Sequence, residues 1–137
     1  SNNPGEQLYN KEVSAGELYK HFNALIPLLT LSRQSLQSSE ELSMLAQKND
    51  SKESRIAKEL IERSANLVAA HFAGIYDFKN KPKQLTCIAQ GSLFWKEPSY
   101  IPTIQKQLQL LKIPENTIKL KQVKNSDIIG AVKLLRG

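Results

Sequence analysis

The amino-acid sequence predicts an α/β fold in which a small parallel sheet packs against four to five helices. An apolar stripe at helical spacing runs through residues 56–75, and it is followed by a short apolar run without polar alternation at residues 85–89. A second strand is predicted at residues 117–123, where apolar and polar side chains alternate as in an edge strand with one wet face. Because helices separate the predicted strands, right-handed βαβ crossovers and parallel pairing are expected.

The first helix is predicted to start just after Ser14, because Ser14 and Glu17 have the spacing of a capping box and apolar residues then recur at helical spacing. Pro27 falls inside this pattern. Since proline removes a backbone donor and crowds the preceding turn, the helix should kink or end near Leu25 or Ile26.

Two further helix starts carry capping signals. A short helix is predicted over residues 39–47, with Ser38 as its N-cap and Glu41 at the third position. Asp50, followed by Glu53, predicts the start of the long core helix in the same way.

In the second half of the chain, proline, glycine and small polar residues mark the predicted ends and starts of elements. Gly91 and Ser92 should end the first strand, and Pro102 should lie near the start of a third main helix. Asn125 or Ser126 can cap a last helix.

Length and composition fit one domain spanning residues 1–137, with 40% hydrophobic and 23% charged residues and no stretch long enough to cross a bilayer. The net charge of +6 comes from lysines scattered over several elements without an aromatic stacking platform, so no nucleic-acid partner is predicted. The single cysteine, Cys87, favours a reducing, cytoplasmic setting. The start at Ser1, without methionine, indicates that the natural N-terminus is missing.

Three segments resemble the hexokinase family, in the family's order. Residues 3–11 read N-P-G-E-Q-L-Y-N-K and resemble its sugar-site segment. Residues 63–70, R-S-A-N-L-V-A-A, resemble the helix behind its nucleotide pocket, and residues 86–94, T-C-I-A-Q-G-S-L-F, resemble the strand and turn that touch adenosine.

The resemblance implies the later part of the large lobe of the ribonuclease H-like, actin-like ATPase fold. It further implies an ATP-dependent kinase that phosphorylates a hexose, such as glucose, at the 6-hydroxyl, with Mg²⁺ and ATP bound mainly by a part outside this chain. No segment resembles the family's phosphate loops or the loop with its catalytic aspartate, so this chain alone is expected to be inactive. The absent strands would leave a bare edge along the strand at residues 85–89. That edge would be covered by the missing lobe, by a partner chain in a homodimer or by the polar residues 28–52.

The resemblance also implies site residues. Gln7 matches the hexose-binding glutamine and Asn10 falls where the family has a sugar-binding glutamate, so both are candidate substrate-binding residues. Gly91, Ser92 and Leu93 are the candidate nucleotide-binding residues. Two departures stand out: Asn10 replaces a charged acceptor by a neutral amide, and the neighbouring Gln90 replaces an aspartate.

Two alternatives stay open at this point. The departures fit a hexokinase-like protein that has lost activity and acts as a sugar-sensing or interaction module. A basic α/β module that binds nucleic acid or acidic partners is the other alternative, and its binding would depend steeply on salt.

Overall fold

A computed structural model describes residues 6–9, 17–89 and 91–122 of the chain. The predicted helices and strands between residues 17 and 122 are present, and the structure adds a strand at residues 6–9 and a short helix at residues 92–96 that were not predicted. In chain order the elements are β1 (Glu6–Tyr9), α1 (Leu18–Leu28), α2 (Ser39–Lys48), α3 (Lys52–Phe78), β2 (Gln84–Ile88), α4 (Ser92–Lys96), α5 (Tyr100–Leu110) and β3 (Ile118–Lys121). The predicted helix after Asn125 or Ser126 lies outside the described residues.

The sheet is parallel and has the order β1-β2-β3, so β2 is its central strand. Tyr9 of β1 pairs with Cys87, and Ile88 pairs with Lys121 of β3. The expected strand at residues 117–123 is confirmed as an edge strand with alternating exposure. The expectation of a bare edge along residues 85–89 is wrong, because β1 of the same chain pairs with that edge.

The long helix α3 has 27 residues and is therefore about 40 Å long. The predicted apolar stripe is confirmed except at Leu67, which is 72% exposed, and the most deeply buried positions of the helix include three alanines. Small side chains on a buried face let a neighbouring helix approach closely. Along α3 the buried residues recur about every four positions, and they are Ser54, Ala57, Ile61, Ala65, Ala69 and Phe72.

Helix α3 packs against α5 on one side and α2 on another. The Tyr100 hydroxyl and the Ser64 hydroxyl share a hydrogen bond of 2.7 Å between α5 and α3. Burial raises the pKa of Tyr100, and the hydrogen bond to Ser64 opposes this shift. The ring of Tyr100 also lies 5.2 Å from that of Phe94, centroid to centroid, which joins α4 to the same core.

The predicted capping of α2 is confirmed, since the Ser38 hydroxyl accepts a hydrogen bond from the Glu41 N–H. The prediction that Asp50 caps α3 is wrong by one residue. Ser51 is the N-cap, with an extended backbone and a hydroxyl that accepts from the Ser54 N–H. Ser54 is fully buried, and its hydroxyl bonds backbone groups at the end of α2, which fixes the α2–α3 turn.

The remaining helix boundaries differ from the predictions by a few residues. Helix α1 begins at Leu18, and Glu17 at its N-cap makes no side-chain capping bond. It ends at Leu28, two or three residues later than predicted, with Pro27 inside its last turn. Proline lacks the N–H that would bond the carbonyl four residues earlier, and the helix ends one residue after it. Helix α5 begins at Tyr100, so that Pro102 lies within its first turn.

One face of β2 belongs to the helical core. Leu85, Cys87 and Ala89 are fully buried and form one cluster with side chains of the helices, including Phe22 and Phe72. Burial raises the pKa of the Cys87 thiol to about 12, so Cys87 is a neutral packing residue, as its position in the apolar run indicates.

Candidate functional site

The carboxyl ends of the three parallel strands meet at one edge of the sheet. Tyr9 ends β1 beside Cys87, and the Ala89 N–H donates to the Lys121 carbonyl at 3.0 Å, which extends the β2–β3 pairing by one step. In α/β sheets, ligands bind in the crevice outside this edge. The ends of β1 and β2 therefore lie side by side at the edge where a binding site is expected.

Gly91 forms the turn between β2 and α4. Its φ of 115° and ψ of 144° lie in a region that residues with a side chain rarely adopt. Apart from the two chain neighbours, no described residue has an atom within 4 Å of the position that a Cβ would take. The turn therefore requires glycine for its backbone conformation and not to avoid a clash. It also leaves open space beside the backbone of Gly91.

Two contacts hold the short helix α4 behind this turn. The Trp95 indole N–H donates to the Ala89 carbonyl at 3.0 Å, which closes the segment on the end of β2. On the exposed side, Lys96 and Glu40 of α2 form an ion pair with a nitrogen-to-oxygen distance of 3.6 Å. Solvent screens such exposed pairs strongly, so the tryptophan bond and the buried Phe94 are the main anchors.

The structure places the sequence-predicted site residues as follows. Gln7 lies in β1 opposite Leu85, two residues before the end of the strand, and Asn10 lies outside the described residues. Ser92 is the first residue of α4. Leu93 is only 2% exposed, so its side chain packs in the core and only its backbone remains available to a ligand.

Glu97 is a buried carboxylate that the sequence did not single out. It follows α4 and is 5% exposed; one carboxylate oxygen accepts from the Ser99 N–H at 2.7 Å and from the Ser99 hydroxyl, and the other accepts from the Ser43 hydroxyl at 3.4 Å. The Gln47 amide donates to the same Ser43 hydroxyl at 2.9 Å. The only sequence signal is the serine two residues after a carboxylate, which favours a local side-chain-to-backbone turn.

Two cavities lie away from the Gly91 turn. The first, about 320 Å³, lies between α2, α3 and the α4–α5 connection and is lined by Glu97, Ser99 and Lys58 among others. The second, about 480 Å³, lies between α5 and the start of β3 and is lined by residues including Lys106 and Glu115. Neither cavity includes a sequence-predicted site residue.

Within the described parts of the chain, no three His, Cys, Asp or Glu side chains are grouped so that they could hold a metal ion. A bilayer-spanning helix is likewise not found among the helices of these parts.

The comparisons with known proteins agree with the segment resemblances. A family model described as hexokinase matches residues 27–135, which include α2, α3 and the Gly91 turn; residues 3–11 precede the matched range. A comparison with curated protein sequences gave no match. Because this family match covers well over half of the chain, the chain belongs to the hexokinase family.

Proposed function

We propose that the chain is part of an ATP-dependent hexokinase that phosphorylates a hexose at its 6-hydroxyl, and that it contributes sugar-binding and adenosine-binding elements. Family membership supports a kinase of this class. The single observation that carries the finer proposal is the parallel pairing of β1 with β2, which brings the end of the Gln7 strand beside the segment that leads to Gly91.

In this proposal Gln7 and Asn10 bind the hexose. An amide both donates and accepts hydrogen bonds, which suits the mixed donor and acceptor character of sugar hydroxyls. Gln7 is two residues before Tyr9, the last residue of β1, so the rise of the strand places it roughly 7 Å from the strand end. The hexose would then lie over the carboxyl edge of the sheet, beside the start of the β2 turn.

Adenosine would bind at Gly91, Ser92 and Leu93, with the open space above Gly91 accepting the base and backbone groups of the turn making its polar contacts. ATP supplies the phosphoryl group, and Mg²⁺ neutralises its phosphates. We assign Mg²⁺, the phosphate loops and the catalytic base to another part of the kinase. The isolated chain is then inactive, and the whole enzyme works in the cytoplasm.

The first test is a coupled phosphorylation assay with ATP and a panel of hexoses on a longer form of the protein, together with calorimetric hexose binding to this chain. The expected results are turnover and a hexose affinity that Gln7→Ala lowers by about tenfold, the loss of one or two hydrogen bonds. Gln105→Ala, at an exposed position of α5, is the matched control and should change neither. Hexose binding that is the same in both variants would contradict the role of Gln7.

A second function is favoured by two observations in the sequence. Asn10 and Gln90 are neutral where the family has acidic residues, which is what a sugar-sensing or interaction module without catalysis would tolerate. Hexose binding without turnover on any hexose would support that module and contradict the active kinase.

A further inference from the structure

The Glu97 carboxylate is almost completely buried, yet its hydrogen-bond donors are all neutral. They are the N–H and hydroxyl of Ser99 and, at the longer distance of 3.4 Å, the hydroxyl of Ser43. The ion pairs found in the described parts of the chain join other residues, so no protein cation there lies within 4 Å of Glu97. A buried carboxylate without a cation is unusual, because burying an ionised group is unfavourable unless it is paired.

The cavity of about 320 Å³ offers room for a cationic group next to Glu97, since Glu97 forms part of its wall. Its volume falls within the range of small-molecule sites. The oxygen that faces Ser43 has the weaker hydrogen bond and therefore retains more capacity for a further donor. An ammonium group in the cavity would supply a positive charge and a further donor to the more weakly bonded Glu97 oxygen.

The same cavity carries a positive charge on another part of its wall. Lys58, on the second turn of α3, lines it and has no ion-pair partner within the described residues. Its flexible four-carbon stem lets the ammonium head approach a bound anion. The rest of the lining has amide and apolar parts, from Gln47, Asn49, Ala46, Ile61 and Pro98.

We propose that this cavity binds a small aliphatic α-amino acid, with its ammonium group on Glu97 and its carboxylate on Lys58. A dipolar ligand satisfies both unpaired charges at once, which neither a simple amine nor a simple carboxylic acid does. The aliphatic side chain packs on Ala46, Ile61 and Pro98. This proposal does not depend on the hexokinase activity, since the cavity shares no residue with the Gly91 turn.

Calorimetry on the 137-residue chain tests it, with L-leucine, n-butylamine and isovalerate as the probes. We expect leucine to bind at millimolar concentration and the two single-charge compounds to bind at least about tenfold more weakly, the loss of one charge-assisted contact. Absence of leucine binding, or equal binding of n-butylamine, would overturn the proposal.

Variants locate the site. Glu97→Gln and Lys58→Met should each weaken leucine binding by about tenfold or more. Lys106→Met, which removes a comparable exposed lysine at the second cavity, should leave leucine binding unchanged. Lys58 is exposed, so its variant reports on binding even if Glu97→Gln disturbs the fold. Leucine affinity that is unaffected by Lys58→Met would refute the assigned site.

Discussion

The conformation of Gly91 predicts that a glycine-to-alanine substitution has opposite effects on stability at Gly91 and at Gly74. With φ at 115° and open space around its Cβ position, Gly91→Ala should destabilise the protein by about 1–3 kcal/mol through backbone strain alone. Gly74 lies inside α3, and its Cβ position is equally open. Gly74→Ala should therefore stabilise the protein by about 0.5–1 kcal/mol, because alanine loses less conformational entropy in a helix.

The two variants add the same methyl group to equally open positions, so their difference isolates the backbone. The expected difference in the free energy of unfolding is about 1.5–4 kcal/mol, measured by urea unfolding with a common m-value. In thermal unfolding, Gly74→Ala should have a Tm higher than that of Gly91→Ala by several degrees, at about 3 °C for each kcal/mol. A Gly91→Ala variant as stable as Gly74→Ala would refute the inference that the β2–α4 turn requires a left-handed glycine.

The remaining predictions concern buried polar groups and the thiol. Ser54→Ala, which removes two bonds to the end of α2, should lower the free energy of unfolding by about 2 kcal/mol in urea unfolding. The cap variant Ser51→Ala should lower it by about 1 kcal/mol, and a loss for Ser54→Ala no larger than this would contradict the inference that both Ser54 bonds stabilise the α2–α3 turn. Asn23→Ala should cost about 2 kcal/mol in the same assay, since the Asn23 amide bonds both backbone groups of Leu36, and a neutral result would contradict this. Because the Cys87 pKa is raised to about 12, the folded state retains a proton that the unfolded state loses at about pH 8.5, so stability should fall as pH rises above that value by up to about 1.4 kcal/mol per unit. Cys87→Ala should flatten that slope, and an unchanged slope would contradict the assignment.

Much of the candidate site was accessible from the sequence, because its signals are local. Glycine followed by serine after an apolar run marks the β2–α4 turn, and the structure places Gly91 there with a positive φ. The burial of Glu97, in contrast, could not be predicted from the sequence. It results from the packing of Ser43 on α2 against the α4–α5 connection, more than 50 residues apart in the chain. No local sequence pattern encodes such a contact, so the cavity beside Glu97 could not be predicted from the sequence either.

The sequence by itself determined the order of helices and strands from α1 to β3 except for the short helix α4. It also determined the Ser38 cap and the parallel, edge-strand character of residues 118–121, since these depend on periodicity and local hydrogen bonds. Only the tertiary structure decided that Leu67 of α3 is exposed while Ala65 and Ala69 are buried, because close packing of α3 against α5 and α2 favours small side chains at the contact. It also decided what covers the edge of β2. Strand pairing joins backbone groups more than 70 residues apart, and β1 supplies them at a position that the local sequence does not specify.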